Sequence, residues 1–267
     1  MSKKQILIVE DDEIIANIIS QMLEKRGYIT AGKADSGEDA VMKSAALDPD
    51  LVLMDIKLNG LLDGVTAARF IFQLFFRPII FITAMCDNTQ LEQAKSAQPL
   101  GFILKPFTEQ DLVSNVELAL YNHEIRKKYL GNYPVGEPKN IMNALDAVII
   151  LDAKGRIIFF NPYAARFIDL PEDQILTKYW REVMMLINDK TDEQLEDPVP
   201  KVVRQHLVVM HEFNTAVVTR SGKRREVSII VQPLMDENKA LFGILMHIRE
   251  KTLTQIKIAK KHQDPFN

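Results

Sequence analysis

Val52-Leu53-Met54-Asp55 is a wholly apolar run that closes on a single acid. Three other stretches share its form: Ile6-Leu7-Ile8-Val9-Glu10-Asp11-Asp12, Phe81-Ile82-Thr83-Ala84 and Phe102-Ile103-Leu104-Lys105-Pro106. Each is strand-like in length and in β-branching, and each ends in a polar group. In an open parallel sheet the carboxyl ends of the strands gather at one edge, where ligands bind. Glu10, Asp11, Asp55, Thr83 and Lys105 then meet in one pocket, a site for a metal ion and a phosphoryl group.

Working outward from these runs, the chain up to about Tyr129 alternates short apolar strands with amphipathic stretches. Strands are expected near 5–9, 29–32, 51–54, 79–83 and 102–105, with helices near 13–26, 37–46, 64–74, 88–96 and 109–128. That alternation predicts an α/β doubly wound, five-stranded parallel sheet. Thr108-Glu109-Gln110-Asp111 opens the last helix as a capping box. Its polar run His123 to Lys128 carries the helix past the core as a connector. The breakers Gly131-Asn132-Tyr133-Pro134-Val135-Gly136-Glu137-Pro138 mark a boundary. The expected organisation is 1–129, a linker over 130–139, a second domain over 140–252, and a helical stub over 253–267.

Bulk properties narrow the class. At 267 residues the chain has length for about two domains. A net charge of -3 gives no electrostatic reason to expect nucleic acid. One cysteine, Cys86, excludes an internal disulfide and any multi-cysteine metal site. No signal-peptide core and no run long enough for a membrane span occur, so no membrane role and a cytoplasmic location are expected.

Three acids brought close repel one another unless a hard divalent cation neutralises them. An ion there screens an incoming phosphoryl group, Asp55 can act as nucleophile, and Lys105 and Thr83 offer a charge and a hydroxyl to phosphoryl oxygens. Taken singly, each residue has a plainer reading: Asp12 or Glu13 as turn former or helix cap, Thr83 or Lys105 as surface chemistry. A haloacid-dehalogenase-type phosphatase also uses a strand-end aspartate but needs a second one two residues on, where this chain has Lys57.

These motifs resemble, in order and spacing, the receiver domain of two-component response regulators, a flavodoxin-like fold, over residues 4 to 128. The resemblance implies a phosphoacceptor at Asp55 and magnesium held by Glu10 and Asp11 as the acidic pair, with Asp55 and the main-chain carbonyl of Lys57. It implies a switch hydroxyl at Thr83, a switch aromatic at Phe102, and a lysine, Lys105, followed by a cis proline, Pro106. Phosphorylation would draw Thr83 inward with Phe102, altering the face formed by the helix over 88–96, the strand over 102–105 and the helix over 109–128. Asn59-Gly60-Leu61-Leu62-Asp63-Gly64 departs from the family pattern, lacking its proline and carrying one extra residue. Lys57 and Met85 stand where the family tunes hydrolysis, and neither is a water-positioning group, so slow self-dephosphorylation is expected.

After the boundary the grammar changes. Ala147 to Leu151, a turn at Asp152-Ala153-Lys154-Gly155 and Arg156 to Phe160 read as a hairpin. Asn161-Pro162 starts a short helix over Tyr163 to Ile168. Helical segments are expected over 172–188 and 199–209, then strands near 213–220, 224–234 and 241–249. This α+β pattern with an antiparallel sheet resembles a PAS domain, carried by Ala147 to Asp152, Ile158 to Ala165, Arg220-Ser221-Gly222-Lys223 and Gly243 to Thr252. A PAS fold implies frequent dimerisation and an internal cavity whose ligand is unknown. His206 and His211 read as surface or satisfied residues rather than haem ligands and Met184 to Ile187 as core; the expected cofactor is Mg2+, and no residue is assigned to a PAS ligand.

The expected function is that of a response regulator. A sensor histidine kinase would be the phosphodonor, a homodimer would form through PAS, and the downstream protein is unknown. No separate catalytic output is expected. The alternatives are the sensory front of a larger kinase or cyclase, and a docking module that is never phosphorylated.

Overall fold

The computed structural model describes residues 3–84, 93–95, 97–129, 146–235 and 239–251, with the backbone alone for 126–129. The chain divides into two compact units, Met1–Met142 and Asn143–Asn267. The expected linker over 130–139, the stub over 253–267, Met85, Cys86 and most of the helix at 88–96 lie outside the described residues.

In the first unit five strands, β1 (Gln5–Val9), β2 (Ile29–Ala34), β3 (Leu51–Asp55), β4 (Ile79–Thr83) and β5 (Gly101–Leu104), form a sheet in the order β2-β1-β3-β4-β5. All four pairings are parallel. Between them run α1 (Glu13–Lys25), α2 (Gly37–Leu47) and α3 (Gly64–Phe75), and α4 (Glu109–Tyr129) follows β5. One face of the sheet buries Ile6, Ile8, Leu51, Leu53, Ile80, Ile82 and Ile103 against Ala16, Ile19 and Leu23 of α1 and Leu112, Val116 and Ala119 of α4. The central strands β3 and β4 are buried along their whole length. They therefore read as continuous apolar runs rather than as alternation.

The helices start where local chemistry tells them to. Asp12, Ser36 and Asp63 cap α1, α2 and α3, each accepting main-chain N–H groups of the first turn. At α4 the capping box is realised: Asp111 N–H donates to Thr108 Oγ1 at 3.2 Å, and Thr108 N–H donates to Asp111 Oδ2 at 2.9 Å. That N–H and the Thr108 hydroxyl, which donates to the same Oδ2 at 2.7 Å, hold the Asp111 carboxyl below its usual range.

The second unit is an antiparallel sheet in the order β7-β6-β12-β11-β10-β8, with β9 also paired to β11. Its strands are β6 (Ala147–Leu151), β7 (Ile157–Phe160), β8 (Met184–Asn188), β9 (Val209–His211), β10 (Thr215–Thr219), β11 (Arg224–Met235) and β12 (Leu241–Glu250). Short helices α5 (Pro162–Ile168), α6 (Trp180–Val183) and α7 (Pro198–Gln205) and a single 3-10 turn at Glu172–Gln174 join them. Alternate residues of β12, Phe242, Ile244, Met246 and Ile248, are buried, as a half-buried strand requires.

Here the sequence expectation needs two corrections. The segment over 172–188 is helical only at Glu172–Gln174 and in α6: Met184–Asn188 is a strand whose residues pair one by one with Thr219 to Thr215. The segment over 199–209 ends as a helix at Gln205, and Val209–His211 pairs with Val231 to Ile229 of β11. Met184, Leu186 and Ile187 are buried while Met185 is exposed.

Candidate metal centre

The carboxyl ends of β1, β3 and β4 and the residue following β5 converge on one edge of the parallel sheet. Glu10 and Asp11 directly follow β1, Asp55 is the last residue of β3, Thr83 the last of β4, and Lys105 comes one past β5. One carboxylate oxygen from each of Glu10, Asp11 and Asp55 lies within 4.8 Å of the others. Glu10 and Asp55 are buried, whereas Asp11 is exposed.

Lys105 binds the two buried acids together. Its Nζ donates to Glu10 Oε2 at 2.6 Å and to Asp55 Oδ2 at 2.7 Å. The other Asp55 oxygen, Oδ1, accepts the main-chain N–H of Lys57 at 3.1 Å. Asp11 Oδ2 accepts from Asn59 Nδ2 at 2.6 Å. Burial pushes the Glu10 carboxyl above its usual range, and the Asp55 and Asp11 charges push the same way against the Lys105 hydrogen bond. For Lys105 burial pulls downward, but its bonds to Asp55 and Glu10 outweigh it and hold the ammonium above its ordinary value.

Three carboxylates facing one ammonium leave an excess of negative charge. That donor set is hard oxygen, partly open to solvent at Asp11, and suits magnesium, which keeps several of its waters. Glu10, Asp11 and Asp55 are the side chains that would hold the ion.

The remaining expected residues lie close by. Thr83 is 1% exposed. It sits two residues from Phe81 on β4, whose ring lies 5.5 Å from that of Phe102 on β5. Phe102 is half-buried, and the two strands pair Phe81 with Phe102 and Thr83 with Leu104. Thr83 and Phe102 thus share one sheet face by the alternation of side chains along a strand. The Lys105–Pro106 peptide is cis. Asp12, weighed as a simple cap, is one: its Oδ1 accepts from Ile14 N–H at 2.8 Å. In the second unit His206 is the exposed C-cap of α7, while His211 lies on β9 with its pKa lowered by burial and by Lys201.

Two residues escaped the sequence reading. Asn59 was named only within an atypical loop, and Glu38 not at all. Glu38 is 7% exposed and accepts the main-chain N–H groups of Leu61 and Leu62 at 3.2 and 3.3 Å. The Asn59-Gly60 dipeptide, a turn signal, was the one local hint.

Comparison with known proteins finds a family for each unit. A family model described as the response regulator receiver domain matches residues 6–117, and one described as a PAS domain matches 145–252. The transcriptional regulatory protein PdtaR of Mycobacterium tuberculosis is 35% identical over 117 residues, 44% of this chain and 57% of PdtaR. The chain therefore spans a little over half the length of that relative. The uncharacterized transcriptional regulatory protein YbdJ of Bacillus subtilis is 30% identical over 216 residues, 78% of this chain and 86% of YbdJ. Among solved structures, the signal receiver domain of a modulated diguanylate cyclase from Desulfovibrio desulfuricans is 36% identical with a TM-score of 0.46, over 47% of this chain and 99% of that one. Among the described residues no helix is long and apolar enough to cross a membrane. The chain belongs to the response regulators, with a receiver domain followed by a PAS domain.

Proposed function

We propose that this protein takes a phosphoryl group from a sensor histidine kinase onto Asp55, with magnesium, and signals through its PAS domain. The observation that carries the reading is the convergence of Glu10, Asp11 and Asp55 within 4.8 Å around one strand edge, with Lys105 bonded to two of them. In the transfer an Asp55 oxygen attacks the phosphorus of a phosphohistidine. The P–N bond breaks, the imidazole keeps the electron pair, and an acyl phosphate P–O bond forms. Bound magnesium would offset the charge that the phosphoryl oxygens bring to the acids. Lys105 then exchanges part of its bonding to Glu10 and Asp55 for a phosphoryl oxygen, and Lys57 N–H keeps Asp55 in place.

The new oxygens also offer an acceptor to the Thr83 hydroxyl. Its shift vacates space on the face it shares with Phe102, and the ring follows. This change would reach the PAS domain through α4 and the chain beyond it, altering PAS packing or homodimerisation and so the choice of downstream protein. The chain carries no separate catalytic output in this reading, acts in the cytoplasm, and loses its phosphoryl group slowly, since lysine and methionine, the residue types at 57 and 85, are not water-positioning groups.

Intact mass after incubation with magnesium and acetyl phosphate tests the central step. The wild type gains one phosphoryl group and Asp55→Asn gains none. A gain in Asp55→Asn would move the nucleophile elsewhere, and no gain in either would leave the docking-module reading standing.

A further inference from the structure

We infer that Asn59 is a positioning residue for Asp11, held above the acid cluster by a clamp that Glu38 places on the loop between β3 and α3. The inference rests on the magnesium reading given above, and it concerns a loop that departs from the family pattern.

The clamp is built from the first turn of α2. Glu38 follows Gly37, the first residue of that helix, and its buried carboxylate takes the N–H groups of Leu61 and Leu62 with separate oxygens. Both approaches need glycine. A Cβ on Gly60 would stand 2.9 Å from Glu38 Oε1, and Gly60 also holds a φ of +128°. A Cβ on Gly37 would stand 2.4 Å from the carbonyl oxygen of Leu62. The loop is thus pressed onto α2 on one side. Its far end is fixed by Asp63, which caps α3 through Thr66 N–H at 2.7 Å.

Asn59 is the residue that this anchored loop turns towards the site. Its exposed side chain spends an amide hydrogen on Asp11 Oδ2 at 2.6 Å. The bond is charge-assisted. Asp11 is the exposed member of the acid cluster, so without that bond its carboxylate is free to turn through solvent. With one oxygen held, the other is presented to the cation in a fixed orientation. Partners of ligating carboxylates commonly govern metal affinity, and their removal costs about tenfold or more. The extra loop residue has a use on this account, because it gives the segment the length to reach Glu38 while keeping Asn59 over Asp11.

Magnesium titrations by calorimetry on the unphosphorylated full chain decide the matter, with the wild type, Asn59→Ala, Glu38→Gln and the double variant. Asn59→Ala is expected to weaken magnesium about tenfold while its melting temperature without metal stays that of the wild type, as for an exposed side chain. Glu38→Gln keeps one acceptor oxygen for two amides and weakens magnesium in the same direction. Added to Asn59→Ala it has no further effect, because both act through one contact. Equal affinity of wild type and Asn59→Ala overturns the inference, as does full additivity in the double variant. If the wild type itself binds no magnesium, the failure lies in the metal reading above, which separates the two.

Discussion

Glu10 bears the electrostatic tension of the site. It is 5% exposed, faces two like charges, and has one cation, Lys105, to offset them. Its pKa stands above the usual carboxylate range, so the folded protein keeps the Glu10 proton to a higher pH than the unfolded chain does. Folding therefore takes up a proton in that window, and stability without divalent cation falls as pH rises through it. Lys105 acts in a different range: its raised pKa adds stability that is present below the ordinary lysine value and lost only in alkali, above the folded value. Urea unfolding between about pH 4 and 7 in a chelator separates the two contributions. In Glu10→Gln the part of the slope that Glu10 supplies is absent, and the titration of other carboxylates remains. An unchanged slope in that variant would remove Glu10 as its source. Gly64 shows how tightly the same site is framed, because a Cβ there would stand 1.8 Å from the carbonyl oxygen of Asp55.

At the scale of elements, the joint between β6, β7 and α5 is held by one fully buried side chain, Asn161. Its Oδ1 accepts from Val148 N–H at 3.1 Å and from Ala164 N–H at 2.8 Å, and its Nδ2 donates to the Asp146 carbonyl at 3.0 Å. Asn161→Ala removes a helix cap and strands buried polar groups, a loss of about 2–4 kcal/mol when the cap and the desolvation penalties are combined. Differential scanning calorimetry should show it in the second unit, with phosphoryl uptake by Asp55 unchanged. A loss below about 1 kcal/mol would mean that water or another donor replaces the amide. Asn161-Pro162 was legible from the sequence because cap chemistry is local. So were the parallel strands, whose apolar runs are buried on both faces and end in the acids that define the site. Met184–Asn188 was not legible. Methionine and leucine favour helix, the run does not alternate, and its strand state is decided by pairing with Thr215–Thr219, some thirty residues on. The link from Asn59 to Asp11 was hidden for a related reason: it spans 48 residues and depends on a loop shaped by Glu38 on a different helix.

For the whole molecule the question is whether the two units answer to each other. A phosphoryl group on Asp55 can shift the PAS domain only by as much as it favours one PAS state over another, and the coupling is reciprocal in binding free energy. The chain supplies its own reporter. Its one tryptophan, Trp180, belongs to the second unit and is 3% exposed. Its main-chain N–H is bonded to the Gly155 carbonyl at 3.0 Å, in the turn between β6 and β7. All the residues proposed to take part in phosphoryl transfer are in the first unit. A change in Trp180 emission on adding acetyl phosphate with magnesium therefore reports transmission from one unit to the other, and the expected result is a change in the wild type that Asp55→Asn lacks. Phe102→Ala sharpens the test, because it leaves the acids and Lys105 in place and removes the half-buried ring beside Phe81. It should take up the phosphoryl group as the wild type does while losing most of the Trp180 response. A full response in Phe102→Ala would route the signal around β5. No response in a phosphorylated wild type would mean that the core around Trp180 is indifferent to the receiver, and that any regulation acts on the chain outside it.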